Sequence, residues 1–105
     1  MIRHCVFFKF RTGVSADERA EIYAGLAALV GQIEGLLSAD FGPNISPEGL
    51  GQGFDNGFIM DFVDQAARDR YLPHPAHQAA GAKLVAALDG GTDGLIVFDM
   101  VVGEP

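Results

Sequence analysis

The sequence holds one cysteine, Cys5, and no tryptophan. A single thiol closes no intrachain disulfide and builds no cysteine zinc cage. Basic residues are also scarce: seven Lys and Arg stand against 14 acids in 105 residues, a formal net charge of −7. A nucleic-acid binder needs a concentrated basic patch, and an anionic membrane attracts the same charges, so neither partner is expected. No apolar run approaches the ~20 residues that span a bilayer. The N-terminus enters strand-like sequence at once, with charges inside it, which is not the pattern of a secretory signal. These absences read together as a cytoplasmic chain. No glycine-rich phosphate loop opens a helix, and no Gly-x-Ser-x-Gly elbow or Ser/His/Asp order occurs. What the chain does have is apolar content, 49% of its residues, enough for the core of one domain over residues 1–105. A domain this short buries a limited share of its surface, and a second copy would help it.

Alternation predicts a strand over Ile2–Phe10, with Ile2, His4, Val6, Phe8 and Phe10 on one face and Arg3, Cys5, Phe7 and Lys9 on the other. Ser15 with Glu18 three residues on forms a capping box, and a helix is expected from Ala16 to Ile33, with Ile22, Leu26, Leu29, Val30 and Ile33 as its buried stripe. Leu36–Phe41 is a second strand, followed by a Gly/Pro/Asn/Ser loop over 42–53. Phe54–Phe62 is a third, with Asn56, Phe58, Met60 and Phe62 on one face and Gly57, Ile59 and Asp61 on the other. Asp64 caps a helical segment that runs to about Leu72. Pro73 and Pro75 interrupt it. A further helix starts near His74 and turns Ala79, Leu84, Val85 and Leu88 inward. Leu95–Val102 is the last strand, and Asp99 is its only charge. The order β-α-β-β-α-β is the α+β, ferredoxin-like split βαβ unit, a four-stranded antiparallel sheet with its helices on one face. The other face carries Cys5, Phe7 and Ile59. An apolar sheet face of that kind predicts a homodimer packed sheet to sheet.

Four groups could carry chemistry: His4, Tyr71, the His74-Pro75-Ala76-His77 run and Asp99. First and last strands are neighbours in this topology, so Asp99 can stand across from His4, accept its ring N–H and set its tautomer. The two alternatives are a satisfied core histidine and an Asp99 that blunts a sheet edge or faces the partner copy. The proline bend between Tyr71 and His77 would hold both over the open end of the helix–sheet layer. Two imidazoles three residues apart fall short of a metal site, so no metal is expected. Cys5 reads as an inert buried thiol.

Several of these segments together resemble a known family. They are Ile2-Arg3-His4-Cys5-Val6-Phe7-Phe8-Lys9-Phe10, Gly42-x-Asn44-x-Ser46, Phe62-x-Asp64, Tyr71-x-x-His74-Pro75-Ala76-His77 and Val97-Phe98-Asp99. In combination, over nearly the full length, they resemble the stress-responsive dimeric α/β-barrel (Dabb) domains. The resemblance implies a ferredoxin-like monomer that dimerises through its sheet into an α+β barrel with the helices outside. It also implies a site. One related enzyme, the plant olivetolic acid cyclase, closes a linear polyketide by aldol condensation without a cofactor. Its tyrosine–histidine acid–base pair corresponds to Tyr71 and His77, and its strand-one pocket histidine to His4. Its second pocket histidine falls at Asn56, and its first-helix pocket tyrosine near Leu26 or Tyr23. On this basis Tyr71 and His77 are the expected catalytic residues. His4, Asn56, Phe58, Met60, His74 and Asp99 are expected to bind a small apolar or aromatic ligand, with further apolar wall from Phe8 and Phe62. No cofactor is expected. Two readings follow: a cofactor-independent cyclase, lyase or isomerase, and a non-catalytic stress-response or ligand-binding homodimer in which Tyr71 and His77 latch the helix bend.

Overall fold

The structure is a computed structural model that describes residues 1–103. Four strands, β1 (Ile2–Phe8), β2 (Leu36–Pro43), β3 (Asn56–Phe62) and β4 (Leu95–Val101), form one sheet in the order β2-β3-β1-β4, and every neighbouring pair is antiparallel. Three helices cover one face: α1 (Ala16–Ala27), α2 (Gln65–Tyr71) and α3 (Pro75–Ala86). A short 3-10 turn, Gly91–Gly94, leads into β4. This is the ferredoxin-like arrangement, with the two helical segments expected after β3, one on each side of the proline bend, in place.

The core lies between sheet and helices. Ile2, Val6 and Phe8 of β1 and Phe58, Met60 and Phe62 of β3 are buried against Ile22 and Leu26 of α1, Tyr71 of α2 and Leu84 of α3. The strand parity read from alternation therefore holds, and His4 joins this inner face as a buried polar residue. Ser15 caps α1 by accepting from the Glu18 amide at 3.0 Å, and Asp64 caps α2 by accepting from the Ala67 amide at 2.9 Å.

Several boundaries differ from the expected ones. β1 stops at Phe8, because the backbone of Lys9 and Arg11 pairs with Gly94, Asp89 and Ala87 instead of with a strand. Phe10 keeps only an isolated bridge to Leu88. α1 ends at Ala27, not Ile33, and Gly31 at φ +95° turns the chain where a helix cannot continue. Leu29 and Ile33 are buried all the same, so the apolar stripe runs on through a turn. β2 extends to Pro43 with a bulge between Leu36 and Ser38, and β3 begins at Asn56. Ala79 is exposed on α3, and the neighbouring Ala76 and Ala80 pack on the core instead.

Gly35 joins α1's trailing turn to β2 at φ +88°. A methyl added there would lie 2.5 Å from Cβ of Ala67 and 3.1 Å from Cγ1 of Val63. Gly35→Ala is expected to destabilise the fold by about 1–3 kcal/mol, from both the left-handed backbone and the clash. The check is a shift in the urea unfolding midpoint.

Candidate functional site

The bend between α2 and α3 is built by Leu72, Pro73 and His74. His74 caps α3: its Nδ1 accepts from the Ala76 amide at 3.1 Å. That amide is the one a continuous helix would give to the carbonyl of Leu72. The carbonyl takes another donor, Nδ1 of His77, at 3.0 Å. A carbonyl only accepts, so His77 carries its proton on Nδ1 and leaves the Nε2 lone pair free. Burial lowers the proton affinity of His77 below the ordinary imidazole value of 6.5, against a smaller opposing effect of the Leu72 carbonyl. It is therefore a neutral base at pH 7.

Tyr71, the last residue of α2, lies against that imidazole, with ring centroids 3.9 Å apart and planes inclined by 32°. Its ring is 1% exposed and meets Phe62 edge-on at 5.0 Å. Among the described residues its hydroxyl has no hydrogen-bond partner, yet it is not sealed off. Burial, and less so the charge of Asp99, push the phenol well above its ordinary pKa. The group therefore stays protonated and is a donor.

His4 stands across from Asp99 in the β1–β4 register, and its Nδ1 donates to Oδ1 of Asp99 at 2.6 Å. Oδ2 of Asp99 accepts from Nη1 of Arg68, also at 2.6 Å. The His4 ring is T-shaped to Tyr71 at 5.7 Å and to Phe62 at 6.0 Å. With Nδ1 engaged, Nε2 of His4 is the nitrogen left for a ligand. Asp99 thus faces the helices, and the alternative in which it turns to the opposite face of the sheet is excluded.

These groups border one cavity of about 490 Å³ between α3 and the β1–β4 edge of the sheet. His4, Tyr71 and His77 line it, with apolar wall from Leu26, Phe58, Leu84 and Leu95, and among the described residues no charged side chain reaches it. Exposed Leu72, Gln78 and Val97 form its rim. Gly81, one turn past His77, also lines it, and a methyl there would stand 3.8 Å from Nε2 of His77. The bare glycine leaves that nitrogen approachable.

The profile of the stress-responsive A/B barrel domain matches residues 2–102. The chain belongs to that family, Dabb. An uncharacterised protein of Streptomyces coelicolor is 44% identical over 85 residues, spanning 78% of this chain and 84% of that one. The stress-response A/B barrel domain-containing protein HS1 of Arabidopsis thaliana is 32% identical over 88 residues, 84% of this chain and 81% of that one. Among solved structures, a dimeric ferredoxin-like protein of unknown function from Jannaschia sp. CCS1 superimposes with a TM-score of 0.88 at 36% identity. The match covers 96% of this chain and 98% of that one.

Within this Dabb fold the expected site residues divide. Tyr71, His77, His4 and Phe58 meet at the cavity. Asp99 stands behind His4 and does not line it. Met60, Phe8 and Phe62 are sealed in the core at 0% exposure. His74 is spent on capping α3. Asn56 sits at the far end of β3, where its Oδ1 is 3.4 Å from the Tyr23 hydroxyl. Tyr23 itself stacks on Phe41 at 5.0 Å, away from the cavity, whereas Leu26 lines it. The residue missed from sequence is Arg68. Its signal was available: it precedes Tyr71 by three positions, so the two share a helix face.

The opposite face of the Dabb sheet is largely apolar, with one ion pair, Arg3 to Asp61 at 2.9 Å, toward one end. Phe7 is 40% exposed, and β4 adds Ile96, Phe98 and Met100 beside it. Cys5 lies on this face, buried among its neighbours, and burial raises its thiol pKa. The loop over 44–55 overhangs one end of this face and encloses, with Phe7, Ile59 and Ile96, a depression of about 610 Å³. That loop is held by Asn44, whose side chain donates to the Phe54 carbonyl at 3.2 Å. It borders the outer face of the sheet and not the histidine cavity.

Proposed function

We propose that this Dabb protein is a homodimer, joined through the outer face of its sheet. Each subunit binds a small, uncharged, largely apolar carbonyl compound in the histidine cavity and moves a proton at the carbon beside the carbonyl. The observation that carries the reading is the Tyr71–His77 pair: a neutral imidazole with a free Nε2 against a protonated phenol whose hydroxyl has no partner among the described residues. Nε2 takes the proton from carbon, and the C–H electron pair moves into the carbonyl. The Tyr71 hydroxyl donates to the oxygen as it gains charge. Nε2 of His4 accepts from a ligand hydroxyl or enol. The enolate so formed leads to an isomer on return of the proton at another carbon. It leads to a ring by attack on a second carbonyl, or to cleavage by expulsion of a leaving group. No cofactor is required for these steps. The uncharged lining suits a ligand without carboxylate or phosphate in the cavity, since a buried charge needs a partner.

The test uses phenylacetone, a small neutral ketone with acidic benzylic protons. The protein in D2O is expected to accelerate exchange of those protons and to show shifts at cavity residues on titration. Binding without accelerated exchange would leave the second reading, a ligand-binding module with Tyr71 and His77 as a latch. The close ring stack is the observation that favours that reading. Two variants separate the readings. Tyr71→Phe keeps the ring packing and loses only an unpartnered hydroxyl, so its melting temperature is expected to stay near that of the parent. Exchange is expected to fall by about 10²–10³-fold. The latch is identified by the double variant Tyr71→Phe, His77→Ala, which removes the ring stack: a clear drop in its melting temperature would favour the latch, and a value near that of the parent the catalytic pair.

A further inference from the structure

Asp99 lies on β4, an edge strand, with its side chain partly exposed. A carboxylate there has water within reach, and its terminal torsion is soft. Yet both oxygens are taken: Oδ1 by Nδ1 of His4 and Oδ2 by Nη1 of Arg68, each at 2.6 Å. Arg68 is braced in turn, since its Nε donates to Oδ1 of Asp99's neighbour in the network, Asp69, at 2.9 Å. The guanidinium is planar, and donors on different nitrogens reach the two carboxylates along fixed directions. Arg68 sits three residues before Tyr71 on α2, so one short helix supplies both the phenol of the cavity and the clamp on Asp99. Arg68 itself does not line the cavity.

We propose that Arg68 is a positioning residue for the cavity. It holds Asp99 in one orientation, Asp99 holds the proton of His4 on Nδ1, and Nε2 of His4 is thereby kept as a hydrogen-bond acceptor turned to the ligand. This rests on the reading of the cavity as the functional site, but its test needs no turnover. A plain strut between α2 and β4 would tie the elements together and leave the imidazole proton where it is. A positioning residue controls that proton.

The experiment is NMR of the imidazole nitrogens and their protons in the full-length, uniformly 15N-labelled protein, comparing the parent with Arg68→Gln. The parent is expected to show a protected Nδ1–H signal for His4. In Arg68→Gln the freed carboxylate turns toward water, and the signal is expected to be lost to exchange, with a second tautomer appearing. The Nδ1–H of His77, held by the Leu72 carbonyl, serves as the internal reference and is expected to be unchanged. An undiminished His4 signal in a folded Arg68→Gln variant overturns the proposal, as does its absence from the parent. If Arg68→Gln does not fold, Arg68→Met is read in the same way. Failure of both to fold also overturns it, because Arg68 would then be holding the helix and not the imidazole. Loss of the His4 signal in a protein whose cavity residues ignore phenylacetone would sink the functional reading and leave the positioning role standing.

Discussion

Replacing His77 with alanine is expected to lower benzylic exchange of phenylacetone by about 10²–10⁴-fold, the usual worth of a positioned general base. The parent fold should survive the change. The side chain is half-buried at the start of α3, and the Leu72 carbonyl it bonds can take water instead. Unchanged exchange in His77→Ala would remove this residue from the chemistry. The pH dependence follows from the same environment. Burial lowers the proton affinity of His77, so the free base persists below pH 6.5, where an exposed imidazole is already half protonated. The midpoint of the decline in exchange on acidification is therefore expected below pH 6.5. A decline centred above 6.5 would contradict the assignment of His77 as the base.

The second large effect is on assembly. Phe7→Asp and Ile59→Asp each place a carboxylate on the largely apolar outer face, where a sheet-to-sheet contact would have to bury it unpaired. Both are expected to shift the protein to a monomer in sedimentation equilibrium, with the helical face undisturbed. The local packing makes Phe7 the sharper probe. Its ring lies across Gly57, where an added methyl would stand 2.7 Å from the ring. The phenyl is thus laid along the sheet and widens the flat surface offered to a partner. If both variants remain dimeric, the contact lies elsewhere on the molecule.

Much of this was legible in the sequence, and the reason is periodicity. Alternation over residues 2–8 placed His4 on the more apolar face. The βαββαβ order made the first and last strands neighbours, and together these brought Asp99 to His4. The pairing of Tyr71 with His77 was legible because two prolines force a bend of short length. What was not legible depended on hydrogen-bond competition and on the third dimension. The apolar stripe after Ala27 is real but is carried by a turn around Gly31, and periodicity alone does not separate a turn from a helix there. His74 looked like a ligand group because its sequence position does not reveal that the Ala76 amide needs an acceptor. Met60 shares a strand face with Phe58, but only Phe58 lies beneath the gap between α3 and β4. Arg68 reaches Asp99 across 31 residues of sequence, a long side-chain contact that no local pattern reveals.

The pairing of β1 with β4 has a consequence for the chain as it is made. Of the four strands, the first in chain order ends up inside the sheet, and the partner on one of its sides is the fourth. His4 and Asp99 are 95 positions apart. Until β4 leaves the ribosome, β1 presents an open edge beside Val6 and Phe8, a template for misplaced pairing. His4 has no carboxylate to hold its proton during that interval, and the cavity has no floor along β4. The slow, long-range closure typical of such topologies and the completion of the site are therefore the same event, and a nascent chain carries no partial version of it.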